Sequence, residues 1–520
     1  MHTTSTRVIS LGLQKRTYQR LATYSDEDIF LYLADTVYIE RQRFEEGQAK
    51  DASPHYQNLL QSASRALQHG RESMLATIMN LVDSYAREIH THFSDTTFSL
   101  TKKILPGALT RLLTASQPTQ LFGADFDPTS RIQVQGNIST IKELEKNHTL
   151  VFTPTHLSNL DSPLIGYGLS AVGLSPVLYG AGLNLFSNPF MAFFMSRLGA
   201  YTVDRRKKNR LYKDVLKDYS AETLSKGYHS LFYPGGTRSR TGKLESSLKK
   251  GLLGTLLQAW QDNIQNGKKN GEILVVPCTL SCSLVLEAET LIEDSLVEVG
   301  KSRYIIMDDE FSETRTIAAY ARKVLNLDSS VFLRFGEPLD CLGNIVNSKG
   351  ISLDSRGKEI NRLEYICDKA GNLVVDSQRD QQYTNRLAAS IVRSFKKNNI
   401  ILPTHIAACA AWKLLEKRYP RLDPVQKALL KKEERIFSRT ELLKAIDCIQ
   451  SQVLALVEKG ECCAEIPRNP LETGRIALER FASFHRKHAF QFVASEHILV
   501  NAKLALYYGN RLDSYPIHLE

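Results

Sequence analysis

Thr149-Leu150-Val151-Phe152-Thr153-Pro154-Thr155-His156-Leu157-Ser158-Asn159-Leu160-Asp161-Ser162 is the stretch on which the fold turns. Thr149 to Thr153 is a short apolar run of the kind that forms a buried strand. Pro154 favours an extended turn after it. His156 then closes the strand–turn, and Asp161 falls in the first turn of a helix behind it. In one continuous helix, residues five apart diverge by about 140° and these two side chains could not meet. With a turn between them they can. Asp161 would then accept the Nδ1 proton and steady the imidazolium, and Nε2 would take a proton from an attacking hydroxyl. The spacing alone leaves a purely structural His–Asp pair open.

The same alternation continues outward. Tyr228–Tyr233, Ile273–Pro277, Arg303–Met307 and Val331–Phe335 read as further strands. Between two of the strands Leu211, Val215, Leu216, Tyr219 and Leu224 form a helical stripe. Strand and helix in alternation over residues 105–345 predict an α/β domain with a largely parallel mixed sheet. Ligands of such sheets sit at the carboxyl ends of strands, which is where His156 and Gly235-Gly236 fall. Residues 1–104 are predicted to be an N-terminal helical region, with Asp26, Glu27 and Asp28 suited to a helix start. Residues 346–381 are polar and turn-rich, a linker or excursion. Residues 382–520 form a C-terminal helical region: Leu387, Ala388, Ile391, Val392 and Phe395 share one face, as do Leu442, Ile446, Ile449 and Val453.

The chain has 520 residues, enough for a large core and more than one domain. Its net charge of +10 favours an anionic partner. No RNA-binding signature or zinc finger is present, so nucleic acid is disfavoured. The eight cysteines form no C-x-x-C pair and read as reduced structural thiols of a cytosolic protein. Arg7, Lys15, Arg16 and Arg20 near the start are mixed with polar residues, without the apolar core of a signal peptide. Ser162–Ser196 is 35 residues without a charged side chain. Glycines and prolines interrupt it, so it reads as buried core rather than a spanning helix. A part, especially Phe190–Met195, is a candidate to face lipid or an acyl chain.

Two further segments bear charge. Six of the nine residues from Arg205 to Lys213 are basic. Such runs are usually solvated; the alternative is that Arg205 points into a site while the rest meets anionic headgroups. Tyr233-Pro234-Gly235-Gly236-Thr237-Arg238-Ser239-Arg240-Thr241-Gly242-Lys243 joins flexible backbone to arginines that can grip phosphate in two-pronged fashion. Other signals are weak. Gly166-Tyr167-Gly168-Leu169-Ser170-Ala171 mimics a dinucleotide fingerprint without a strand before it. No G-x-S-x-G elbow exists. His90/His92 and His485/His488 lack further ligands at metal spacing, so no metal is expected.

Taken in order, these segments resemble the glycerophosphate acyltransferase superfamily. His156 and Asp161 match its first motif, Val203-Asp204-Arg205 its second, Gly236–Arg240 its third and Val275-Val276-Pro277 its fourth. Ala181-Gly182-Leu183-Asn184-Leu185, Asn209-Arg210-Leu211-Tyr212 and Gly236–Lys243 are most similar to the bacterial-type glycerol-3-phosphate 1-acyltransferases. The likeness covers roughly residues 105–340, and more faintly Leu402–Ala408. It implies that His156 deprotonates the 1-hydroxyl of glycerol 3-phosphate for attack on an acyl-CoA or acyl-acyl carrier protein. Arg205, Gly236, Thr237, Arg238, Ser239 and Arg240 would bind the substrate, and no cofactor would be needed. The protein would sit on the cytoplasmic side of a membrane, peripheral or monotopic, against an anionic surface. A lysophosphatidate or other lysolipid acyltransferase, and an inactive lipid-binding or scaffold protein, are the alternatives. One departure stands out: Gly235 occupies a slot where the family usually carries glutamate, which implies an altered acceptor site. Gly235→Glu is expected to change acceptor affinity more than the chemical step.

Overall fold

Leu150, Val151 and Phe152 are fully buried in the middle of a seven-stranded sheet. The computed structural model describes residues 5–48, 53–91, 132–158, 161–183, 199–268, 271–285, 287–300, 331–484, 488–494 and 496–519. The first elements are helices: α1 (Thr6–Leu21), α2 (Asp26–Glu45), α3 (Pro54–Ala66) and α4 (Arg71–Ile89). Ser25 and Asp28 form a capping box at the acidic start of α2. Strands and helices then alternate: β1 (Ile132–Gly136), α5 (Ile138–Glu145), β2 (Thr149–Pro154), α6 (Asp161–Ala171), β3 (Leu178–Gly182), β4 (Ala200–Val203), α7 (Arg210–Ser225), β5 (Ser230–Leu231), α8 (Lys250–Gln265), β6 (Ile273–Cys282), α9 (Ala288–Gly300) and β7 (Val331–Phe335).

The sheet order is β1-β7-β6-β2-β5-β3-β4. Strands β6, β2, β5, β3 and β4 run in parallel, β7 runs antiparallel to β6, and β1 runs parallel to β7. The mixed, largely parallel sheet read from the sequence is therefore present. Every residue of β2 is buried, as expected for a central strand covered on both faces. Its register with β6 runs from Thr149 opposite Ile273 to Pro154 opposite Cys278. Beyond the last pair, Leu280 N–H donates to Thr155 Oγ1 (3.0 Å), which pins the chain just before His156.

After β7 come the short pair β8 (Ile345–Val346) and β9 (Ser352–Leu353), then α10 (Ser377–Lys397), β10 (Ile400–Ile401), α11 (Pro403–Arg418), α12 (Pro424–Ala428), β11 (Ile436–Ser438), α13 (Arg439–Glu458), β12 (Cys463–Ala464), α14 (Pro470–Phe484), β13 (Phe490–Ala494), β14 (His497–Val500) and α15 (Ala502–Gly509). The C-terminal helices are thus interleaved with a two-stranded and a three-stranded sheet, which helical periodicity does not reveal. Helices α11, α13 and α15 share one continuous core with β2, β6 and β7. The N-terminal helices pack with α7 and with Leu178 and Tyr201 of the sheet edge, and α8 with α10 covers the other face.

Some expectations are amended. The Tyr228–Tyr233 strand shrinks to Ser230–Leu231, and Ile273–Pro277 lengthens to Cys282. Gly166–Ala171 lies inside α6, so it is no phosphate-binding loop. The predicted strand Arg303–Met307 and the segment Phe190–Met195 lie outside the described residues. The basic run is not one solvated face. Lys207 is buried, paired with Glu88 and set 4.8 Å from the Tyr85 ring centre. Among the described residues no helix is long and apolar enough to cross a membrane.

Candidate active site

Pro154 ends β2, and the main chain turns through Thr155–Ser158 before α6 begins at Asp161. The turn exists because Asp161 holds it. Its Oδ2 accepts the N–H of Leu157 (2.5 Å) and of Ser158 (2.9 Å), and lies 2.9 Å from His156 Nδ1. A carboxylate already taking two main-chain protons acts as acceptor, so Nδ1 carries the ring proton and Nε2 is left as the basic nitrogen. Asp161 is fully buried, whereas the His156 side chain is 17% exposed. The imidazole lies on Tyr233, ring centres 3.9 Å apart and 20° from parallel. Burial pushes the Tyr233 hydroxyl well above its usual range, so it stays neutral, and it bonds Ser162 Oγ at 2.8 Å.

The glycine- and arginine-rich loop wraps this pair. Ser239 N–H donates to His156 O (2.8 Å), and His156 N–H donates to Glu245 Oε1 (2.8 Å). Both main-chain groups of His156 are therefore held from residues 239–245. Gly236 takes a left-handed conformation at φ 82°. Arg238 Nη1 lies 3.3 Å from Glu287 Oε1, and Ser158 Oγ donates to Glu287 Oε2 (2.8 Å). One buried carboxylate thus ties Arg238 to the His156–Asp161 turn. Gly236 and Thr237 are exposed, and Ser239 and Arg240 are half-buried in the same loop.

Arg205 is exposed, two residues past β4. Because β2 and β4 run the same way, Arg205 and His156 share the carboxyl edge of the sheet. Two strands separate theirs, a span of roughly 14 Å at ordinary strand spacing. The site thus gathers His156, Asp161, Arg238 and Ser239 closely and leaves Arg205 further along the edge. Sequence reasoning missed Tyr233, Glu245 and Glu287. Tyr233 adjoins the glycine loop and could have been found there; the two glutamates follow no local spacing. Among the described residues no cluster of three or more His, Cys, Asp or Glu is arranged for a metal ion.

An acyltransferase family model matches residues 131–281. The match takes in β1 through most of β6, including His156 and the glycine- and arginine-rich loop. Over 211 residues the chain is 31% identical to a glycerol-3-phosphate acyltransferase of Haemophilus influenzae (strain PittEE), covering 40% of this chain and 24% of that one. Over 288 residues it is 28% identical to the glycerol-3-phosphate acyltransferase of Actinobacillus pleuropneumoniae serotype 5b (strain L20), covering 55% and 32%. The chain therefore spans about a quarter to a third of the length of these curated relatives. Among solved structures, the 1-acyl-sn-glycerophosphate (LPA) acyltransferase PlsC of Thermotoga maritima overlaps 56% of this chain and 80% of its own at 15% identity, with a TM-score of 0.27. An overlap that loose carries no weight here.

The α/β domain also has a cleft whose lining includes Ser162, Gly166, Leu169, Leu174, Val177 and Tyr179. All six come from the long uncharged stretch. Ser162 joins cleft to site through its bond to Tyr233.

Proposed function

We propose that the chain transfers a fatty acyl group from an acyl thioester to the 1-hydroxyl of glycerol 3-phosphate. The observation that carries this is the fixed His156–Asp161 pair, gripped by a loop that presents arginines. His156 Nε2 takes the hydroxyl proton as the oxygen attacks the thioester carbonyl. The tetrahedral intermediate then collapses, the C–S bond breaks, and the imidazolium returns its proton to the departing thiolate. Asp161 keeps the ring in the productive tautomer and stabilises its charged form. Such a base is worth about 10²–10⁴ in rate.

Arg238, already oriented by Glu287, and Arg240 hold the phosphate, with Arg205 reaching from the sheet edge. Gly236 and Thr237 let the backbone approach it, and Ser239 braces the loop against His156. The uncharged cleft receives the start of the acyl chain. Acyl-CoA and acyl-acyl carrier protein both suit the basic surface, as does an anionic membrane on the cytoplasmic side. The similarity to glycerol-3-phosphate acyltransferases over much of the domain supports this acceptor.

The test offers purified protein glycerol 3-phosphate, lysophosphatidate and dihydroxyacetone phosphate in turn, with each donor, and identifies products by mass. The expected product is 1-acyl-glycerol 3-phosphate, lost in His156→Ala. Transfer only to lysophosphatidate would replace the acceptor; absence of any transfer by the wild-type chain would leave a binding or scaffold protein.

A further inference from the structure

Arg511 is buried and Glu245 half-buried with its Oε2 enclosed, and among the described residues neither forms an ion pair. Glu245 Oε1 accepts the His156 N–H, but Oε2 is buried and has no hydrogen-bond partner among the described residues. Arg511 is 3% exposed. Its Nε donates to Asn399 Oδ1 (2.6 Å) and its Nη2 to Leu280 O, while Nη1 is buried and unpartnered among the described residues. A lone buried charge of either sign costs several kcal/mol. Burial pushes the Glu245 carboxyl up, and the His156 N–H, its own N–H and then the Arg511 charge pull it back down. Burial likewise lowers Arg511, and among the charges opposing that, Glu245 acts most strongly.

Arg511 also reaches His156 by a second route. The Leu280 carbonyl that it grips belongs to the residue whose N–H holds Thr155 Oγ1, one residue before His156. The docking of this late segment is tight. Asn510 Nδ2 donates to Thr241 O (2.8 Å), Lys243 pairs with Asp513 (2.9 Å), and a Cβ on Gly242 would lie 1.9 Å from Tyr507 O. Glu245 further fills the room beside Gly235, where a Cβ would come 3.0 Å from Glu245 Cγ. A carboxylate ten residues downstream thus stands against the position where the resemblance leads one to expect a glutamate.

We propose that Glu245 and Arg511 are positioning residues that brace the main chain of His156, Glu245 directly and Arg511 through Leu280 and Thr155, so that the catalytic site extends past residues 131–281 into the C-terminal segment. This rests on His156 being the base. Its own test needs no substrate: the full-length chain carries 13C-labelled histidine, and the His156 imidazole signal is identified by its loss in His156→Ala. Glu245→Ala and Arg511→Met should both move that signal, whereas the surface variant Lys397→Ala leaves it in place. Kinetically, each single variant should lose about 10- to 100-fold in kcat, the scale of a small misplacement of a catalytic group, with KM within threefold. Glu245→Gln/Arg511→Met buries no unpaired charge; it should fold, keep the shifted His156 signal, and lose less kcat than the product of Glu245→Gln and Arg511→Met alone. If that double variant folds and its His156 signal matches the wild type, the pair does not position the imidazole. A wild-type chain that transfers no acyl group would instead sink the acyltransferase function, with the signal still deciding the pair.

Discussion

At the scale of single residues, His156 and His405 show how surroundings divide one side chain between two uses. His156 keeps an exposed edge and one basic nitrogen. His405 is buried: Nδ1 accepts the Leu402 N–H (3.2 Å) and Nε2 lies 3.3 Å from Cys282 O, so it is held in one neutral tautomer. Burial lowers its pKa to about 3, and burial lowers that of His229 to about 4. Both folded values lie below the unfolded one of about 6.5. The stability they contribute is therefore full above pH 6.5 and is lost as pH falls towards 3–4, because the unfolded chain binds protons that the native one refuses. Between pH 7 and 5 His405 should withdraw about 2 kcal/mol. Urea unfolding at the two pH values checks this: His405→Gln should flatten the pH slope, and an unchanged slope would remove His405 as its source. The His156–Asp161 pair was legible because both partners fall within six residues and one turn. Glu245, Glu287 and Arg511 were not, because folding brings them in from distances over which no spacing rule operates.

Elements reveal a different limit of sequence patterns. The glycines of α6 mimic a nucleotide loop, yet they serve packing. A Cβ on Gly168 would lie 2.7 Å from Leu333 Cδ2, so this glycine lets the helix close onto the sheet. Gly166 faces the other way, lines the cleft and has open space where a Cβ would go. Gly166→Leu should therefore fold at least as well, since leucine is the better helix former by about 1 kcal/mol. It should also fill the cleft, raising KM for long-chain thioesters several-fold over short ones; equal KM values across chain lengths would show that the acyl group lies elsewhere. Strands β2 and β7 were readable as apolar runs bounded by turn residues. Strand β3 was not, because Gly180 and Gly182 break its apolar pattern; Gly180 is small because the Tyr201 ring lies 3.1 Å from where its Cβ would be.

For the whole molecule, the N-terminal helices are joined to the site-bearing sheet by buried polar groups as well as by apolar packing. Asn209 caps α7 by accepting the Tyr212 N–H (2.8 Å), and its Nδ2 donates to Glu40 Oε1 (2.8 Å). Arg43 completes the group, 2.8 Å from Glu40 and 3.7 Å from Asp204. Asn209→Ala removes a helix cap and leaves a buried carboxylate short of a donor, together about 2–4 kcal/mol. Chemical denaturation should register that loss; a change below about 0.5 kcal/mol, the ordinary surface value, would mean that the network does not couple the two regions. The charge run that contains Lys207 looked like surface because its partners Glu88, Tyr56 and Tyr85 come from helices more than a hundred residues earlier.

The contact between Gly242 and Tyr507 also has a consequence during protein synthesis. The ribosome will have released the strands and the glycine loop long before the segment that locks them emerges. A nascent chain that has not yet reached residue 511 therefore carries an α/β domain whose glycine- and arginine-rich loop is still unlatched.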